Sequence, residues 1–413
     1  MFSPLAGLLP DLTELYQDLH RHPELSFDEH RTATELGHHL RDLGYEVTGG
    51  VGRTGVVGVL RNGEGPTVML RADMDALPVT ERTGLPYAST RPGVMHACGH
   101  DMHCAWLVGA GALLAHGRDR WTGTVLLVLQ PAEETGAGAE AMIDDGLFER
   151  FGRPTVALGQ HVGPAPAGRV LSRPGMMMAA SDSLRVRLFG RGGHGARPES
   201  TVDAVVMAAA TVLRLQTIVS RELPATETAV VTVGALQAGT KENIIPEDAE
   251  LRVSVRTFEP RVRERVLAAI ERIVNGEAAA AGAPKPPEIE AVNGFDPVVN
   301  DEAATLRVSE AFVAHFGSER VVKAPLMMGS EDFGMYGARG GFPSVFWFVG
   351  GSDPQAYARA EQVGRVDRDI PSNHSPKFAP VLEPTLSTGV ETLVAAALAW
   401  LSPGTVEPQG TTG

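Results

Sequence analysis

Gly123-Thr124-Val125-Leu126-Leu127-Val128-Leu129-Gln130 leads directly into Pro131-Ala132-Glu133-Glu134. The first eight residues show no apolar/polar alternation. Such a run reads as a strand buried on both faces, inside a sheet covered by helices. Working outward, Val56-Val57-Gly58-Val59-Leu60, Thr67-Val68-Met69-Leu70, Thr155-Val156-Ala157-Leu158-Gly159 and Pro343-Ser344-Val345-Phe346-Trp347-Phe348-Val349 read as further buried strands. Helical spacing separates them at residues 8–19, 29–43 with Gly44 as a stop, 103–116 and 386–401. The alternation predicts an α/β class with a mostly parallel sheet.

The pattern changes near residue 181. Ser183-Leu184-Arg185-Val186-Arg187-Leu188-Phe189 and Ala249-Glu250-Leu251-Arg252-Val253-Ser254-Val255-Arg256 alternate polar and apolar, so each has one wet face. With helices at 203–220 and 261–281 and strands at 229–235 and 288–292, the order is strand-helix-strand-strand-helix-strand. That split βαβ order predicts an inserted α+β domain at 182–295. The flanks, 1–181 and 296–413, then form one larger domain. Residues 402–413, rich in Gly, Pro and Thr, read as a frayed tail.

The net charge of -14 argues against nucleic acid or an anionic membrane as partner. Cys98 and Cys104 are the only cysteines, so no disulfide framework is expected and a reducing cytoplasm fits. The start, Met1-Phe2-Ser3-Pro4, lacks a secretory signal pattern, and no apolar run looks long enough to span a bilayer.

Chemistry concentrates in Met95-His96-Ala97-Cys98-Gly99-His100-Asp101-Met102-His103. One thiol, three imidazoles and a carboxylate in nine residues give the donor density of a transition-metal site. Ligands in open α/β sheets gather outside the carboxyl ends of strands. Asp73 and Asp75 follow one predicted strand, Glu133 and Glu134 a second, and His161 a third, so acids and imidazoles converge on one edge. Adjacent carboxylates repel, which favours a cation between them or a raised pKa on one. One could hold a metal while its neighbour moves protons. Cys98 could instead be a nucleophile, but the surrounding imidazoles and carboxylates favour a metal-ligand thiolate. His20 and His22 precede no strand and read as supporting residues. His38-His39, His30, His116 and His315 carry no assigned role. The glycine-rich Gly190-Arg191-Gly192-Gly193-His194-Gly195 lets His194 project from a loop, and no phosphate-loop pattern follows it.

The ordered motifs resemble the M20 metallopeptidase family in its amidohydrolase branch. That branch includes hippurate hydrolases, indole-acetyl-amino-acid hydrolases, N-acyl-amino-acid amidohydrolases and N-acetyl-diaminopimelate deacetylases. The resemblance rests on Leu19-His20-Arg21-His22-Pro23-Glu24-Leu25-Ser26, Leu70-Arg71-Ala72-Asp73-Met74-Asp75-Ala76-Leu77-Pro78, His96-Ala97-Cys98-Gly99-His100-Asp101 and Gln130-Pro131-Ala132-Glu133-Glu134. It continues through Gly192-Gly193-His194-Gly195-Ala196, Gly329-Ser330-Glu331-Asp332-Phe333 and Asn373-His374-Ser375-Pro376. It implies two divalent ions, zinc or manganese with cobalt and nickel as alternatives, held by Cys98, His100, Glu134, His161 and His374. It implies Glu133 as general base, Asp75 as the carboxylate orienting a ligand, and a ferredoxin-like lid that makes a homodimer or a dimer of dimers. His194 would reach the partner subunit's site to steady an oxyanion, and Asn243 would touch substrate. Met102, where a glycine is common, and the run Met176 to Met178 depart from the family pattern.

Arg256, at the end of a lid strand, is a candidate grip for a substrate carboxylate; a surface arginine on an alternating strand is the competing reading. The reading is thus a metal-dependent hydrolase of the amide bond of small N-acyl amino acids, with a dipeptidase or aminopeptidase as the alternative. A non-catalytic binding protein and a thiol enzyme using Cys98 are the other classes.

Overall fold

The computed structural model describes residues 1–401; the tail expected at 402–413 lies outside them. In chain order the principal helices are α1 Leu5–Arg21, α2 His30–Asp42, α3 His100–His116, α4 Ala204–Thr217, α5 Pro260–Ala280, α6 Glu302–Phe316 and α7 Leu382–Leu401. The strands used below are β1 Glu46–Val51, β2 Gly55–Asn62, β3 Thr67–Asp73, β4 Gly123–Gln130, β5 Val156–Pro166, β6 Val170–Ser172 and β7 Ala180–Phe189. They continue with β8 Gly193–His194, β9 Ala229–Ala238, β10 Ile244–Ile245, β11 Asp248–Thr257, β12 Glu288–Phe295, β13 Val321–Lys323 and β14 Ser344–Ser352.

The chain divides into two compact units. Among the described residues, the first comprises Met1–Met177, Val298–Pro325 and 331–401. Its eight-stranded sheet has the order β1-β2-β4-β3-β5-β14-β6-β13. The sheet is mixed. β4, β3, β5 and β14 run parallel, whereas β1–β2, β2–β4 and β14–β6 are antiparallel. The parallel centre is where the strands lack alternation, because helices cover both faces there. Register sets Asp73 of β3 opposite Gln130 of β4, so both strands end at one level and release Asp75 and Glu133 side by side.

α3 is buried from His100 to Leu114. Its small residues, Ala105, Gly109, Ala110 and Gly111, let it pack closely between α1, α7 and the sheet. Trp106 donates to Thr385 O at 3.1 Å and lies so close over Gly389 that an added Cβ would meet the indole at 2.1 Å. A tight apolar anchor therefore fixes the helix that carries His100.

The second unit comprises Met178–Pro297 and Leu326–Ser330. Its four strands, ordered β9-β11-β7-β12, are all antiparallel. Two helices, α4 and α5, cover the face that carries Val186, Leu188, Leu251, Val253 and Val255. The opposite face is polar; Arg185 pairs with Glu290, and Arg187 with Asp248. This is the α+β arrangement the alternating strands predict.

One helix bears on the expectation that no apolar run is long enough to span a bilayer. Among the described residues, Ala204–Glu222 is helical, long and apolar enough by composition to cross a membrane, with mean hydropathy 1.3. It is not one apolar run, since Arg214, Arg221 and Glu222 interrupt it. It packs Met207, Ala208, Thr211 and Leu215 on the sheet and leaves Val206 and Leu213 exposed, as a helix covering one face of a sheet does.

Candidate metal centre

Four segments bring the predicted residues together in the first unit. The loop Met95–Gly99 enters α3 one residue before His100. Gly99 makes that entry possible. Its φ is +88°, and a Cβ there would lie 2.3 Å from Val162 Cγ1. α3 therefore begins at His100, earlier than the periodicity suggests. Ala132 (φ +50°) bends the chain sharply after β4 and puts Glu133 and Glu134 in a single turn, Glu133–Thr135. His161 differs from expectation by sitting inside β5, not after it. His374 also has a left-handed backbone (φ +68°), and its N–H donates to Ala97 O at 2.8 Å. Asn373 beside it donates to Cys98 O and Val162 O, both at 3.1 Å, tying the last segment to the first.

Donor atoms of Cys98, His100 and His161 lie within 4.8 Å of one another. So do those of Cys98, Glu134 and His374, and those of His100, Glu133 and Glu134. Cys98 Sγ is 3.4 Å from His161 Nε2, and His374 Nε2 is 3.4 Å from Glu134 Oε2. His161 Nδ1–H donates to Val162 O at 2.7 Å, which leaves Nε2 free to bind. Burial, then the neighbouring His103, hold His161 well below the ordinary imidazole range, in its ligand form.

Asp75 holds the arrangement from behind. Its carboxylate accepts from Glu133 N and Glu134 N, both at 3.1 Å, and from Ser26 Oγ at 2.7 Å. His100 Nδ1 is 3.3 Å from Asp75 Oδ1, close but not aligned as a hydrogen bond. Asp73 approaches His100 from the other nitrogen, at 3.6 Å. Burial alone would lower the His100 pKa, but Asp73, Asp75 and Glu134 push it up to about 10. The same negative surroundings would favour a divalent cation in place of that proton. Burial, then Glu331 and Glu134, push Glu133 well above the usual carboxylate range. Burial and the two glutamates also push the Cys98 thiol up.

The residues fit a resident metal. The ring nitrogens of His100 and Oε1 of Glu134 are buried without hydrogen bonds, although they point among other ligand atoms. Buried polar atoms ordinarily find partners. Sulfur, nitrogen and oxygen donors in one cluster suit zinc and its first-row neighbours.

Other members of the dense motif turn elsewhere. His103 Nδ1–H donates to Asp73 at 2.6 Å, and its Nε2 accepts from Val162 N at 2.9 Å. Asp101 binds His20 Nδ1 at 2.6 Å, while His20 Nε2 meets Glu81 at 3.2 Å. Burial would depress His20, but those hydrogen bonds push it up to about 9. His96 is buried with neither ring nitrogen bonded.

Sequence reasoning missed the layer beneath. Arg71 is 1 % exposed and donates to Gln130, Asp73, Glu331 and Asp332 at 2.8–3.3 Å. Glu331 and Glu133 also approach within the same cluster as Asp332. Burial together with Asp73 and Asp332 raises Glu331 to about 8 despite Arg71. A charged residue inside an apolar strand, as Arg71 is in β3, was the available signal.

The second unit holds the remaining candidates. β8 and β10 pair with His194 opposite Ile244, and Gly195 N donates to Asn243 O at 2.8 Å. His194 and Asn243 thus share one short ribbon, with His194 exposed. Arg256 is half-buried and donates to Ser330 Oγ, which donates to Ala179 O at 2.9 Å; among the described residues no carboxylate pairs with it.

The profile of Peptidase family M20/M25/M40 matches residues 69–397. The chain belongs to that family. Within M20 it falls in the amidohydrolase branch. It is 41% identical over 346 residues to hippurate hydrolase of Campylobacter jejuni, covering 80% of this chain and 88% of that one. It is 37% identical over 348 residues to N-acetyl-L-cysteine deacetylase of Bacillus subtilis, covering 84% and 82%. A solved M20 structure, the dinuclear metal binding peptidase YXEP of Bacillus subtilis, superposes with TM-score 0.76 at 31% identity, over 96% of this chain and 99% of that one. Family membership and the buried ligand cluster make this M20 chain a metal-dependent amidohydrolase, with the clustered side chains typical of a dinuclear site.

Proposed function

We propose that the chain hydrolyses the amide bond of N-acyl amino acids whose acyl group is acetyl, benzoyl or similar. The observation that carries this is the Glu133–Glu134 turn, which sets one glutamate among Cys98, His100 and His374 and leaves its neighbour beside them. The relatives that cleave hippurate and N-acetylcysteine support the substrate class.

Cys98, His100, Glu134, His161 and His374 would hold two divalent ions, zinc or manganese before cobalt or nickel. Such ions supply Lewis acidity toward the carbonyl and the attacking water. Glu133, set beside Glu134 in the same cluster, removes the water proton and delivers it to the leaving nitrogen. Asp75 orients His100 and fixes the Glu133–Glu134 backbone. Arg71 and Glu331 keep the floor of the site charged yet rigid. His194 donates to the carbonyl oxygen as it gains charge, Asn243 contacts substrate, and Arg256 grips the free carboxylate. Residues 182–295 act as lid and dimerisation domain. Support for a homodimer comes from Val206 and Leu213 on α4 and Val230 and Leu236 on edge strand β9, all exposed.

Steady-state assays on metal-defined protein test the reading. Acetyl- and benzoyl-amino acids should exceed free dipeptides in kcat/KM by roughly a hundredfold, about 2.7 kcal/mol. Preference for free dipeptides would favour the peptidase reading, which the similarity to the dinuclear metal binding peptidase of Bacillus subtilis supports.

A further inference from the structure

The first unit carries a second candidate site, away from the clustered ligands. A groove of about 380 Å³ runs between α2 and the turn joining β1 to β2. Its wall on α2 includes His30, Thr34, His38 and Arg41, and its far side includes Arg53 and Thr54. Among the described residues, no aspartate or glutamate lines it. Among the described residues, none of His30, His38, Arg41 and Arg53 has a carboxylate partner. That is unusual here, because the chain has 50 acidic residues against 36 Lys and Arg. Nearby Arg31 and Arg61 are paired, with Asp18 and Glu46. Asp145 reaches the same turn but is engaged by Gly52 N and Arg150.

Arg53 is held in place at a cost. Its φ is +81°, in the left-handed region, and its guanidinium sits 4.2 Å from the ring centre of Phe27, itself at φ +64°. Two non-glycine residues in that region store on the order of 1–3 kcal/mol each. The chain accepts that strain at a position where the guanidinium faces an acid-free groove.

The groove also has a route to the catalytic turn. Thr54 Oγ1 donates to Glu29 Oε2 at 2.5 Å, and Glu29 Oε1 accepts from Ala132 N at 2.9 Å. Glu29 is fully buried, and Ala132 is the bend that presents Glu133 and Glu134.

We propose that this groove binds a phosphate-bearing small molecule, and that the Thr54–Glu29–Ala132 hydrogen bonds couple its occupancy to the catalytic turn. Two guanidinium forks and two imidazoles match a tetrahedral oxyanion with several accepting oxygens better than a single carboxylate. The volume lies in the range of small-molecule sites, about 300–1,000 Å³.

The test is calorimetric titration of the metal-loaded protein with inorganic phosphate, pyrophosphate and adenosine monophosphate at constant ionic strength. Saturable binding is expected, weakened on the order of 10- to 100-fold in Arg41→Gln/Arg53→Gln and retained in Arg53→Lys with an unchanged melting point. Tighter binding of the nucleotide than of phosphate would identify an ester as ligand; equal binding would identify the free anion. The double variant should keep basal kcat, while saturating ligand should change kcat in the wild type alone. No saturable binding up to about 10 mM, a range covering weak metabolite sites, would overturn the site. So would equal affinity in the double variant, since that places the anion at the metals. Binding with no change in wild-type kcat would overturn the coupling.

Discussion

Asp75→Asn is the sharpest probe of how the centre is held. Asp75 is 1 % exposed, and its carboxylate accepts three hydrogen bonds, from Glu133 N to Oδ1 and from Glu134 N and Ser26 Oγ to Oδ2. An asparagine of the same shape must put its NH2 at one of those oxygens. At Oδ1 it would oppose Glu133 N–H; at Oδ2 it would oppose Glu134 N–H. The Ser26 hydroxyl can turn and accept, but a backbone N–H cannot. One buried donor of the turn is therefore left unsatisfied, at about 1–3 kcal/mol. The negative charge 3.3 Å from His100 Nδ1 is lost as well. Loss of such a supporting carboxylate typically weakens metal affinity 10- to 100-fold, about 1.4–2.7 kcal/mol. Chelator competition should show that loss, and calorimetry of the metal-free protein should show a lower melting point. A melting point that falls while the competition curve stays put would refute the reasoning, because it would make Asp75 a support of the turn alone.

Glu133→Gln should keep its metal yet lose turnover by a factor on the order of 10² or more, read by metal analysis beside kcat; parallel loss of both would make Glu133 a ligand. Arg256→Lys should raise KM for an N-acyl amino acid and spare the matching amide without a carboxylate, and equal effects on both would remove Arg256 from substrate binding. His194→Ala and Glu133→Ala should each be nearly inactive, whereas refolding them together should revive roughly one site in four if His194 serves the partner's site. A dead mixture would place His194 in its own subunit's site. His20 has its pKa raised from 6.5 to about 9 in the fold, so its contribution is complete below pH 6.5 and is lost as pH rises through about 9. The melting point should therefore decline across that window in the wild type, and more weakly in His20→Gln; identical slopes would contradict the assignment.

The α/β class and the α+β insert were legible because burial leaves a periodic mark. β4 lacks alternation since both its faces are covered, and β7 and β11 alternate since one face is wet. The ligand candidates were legible for a related reason: strand ends release polar residues into loops, where their types stand out against apolar runs. Residue type and spacing do not separate His100 from His96 and His103, because all three sit in one motif; the family resemblance picks out His100, and the fold supplies the reason. Only the fold turns His103 toward Asp73, leaves His96 unbonded and sets His100 between Asp73 and Asp75. The antiparallel margin at β1 and β2 was likewise hidden, since strand direction depends on which neighbour a strand pairs with. Arg71 and Glu331 lie 260 positions apart, and no local pattern links them. Their pairing is decided by burial. A guanidinium sealed inside a sheet must find its carboxylates wherever the chain returns, and that return is a property of the tertiary structure.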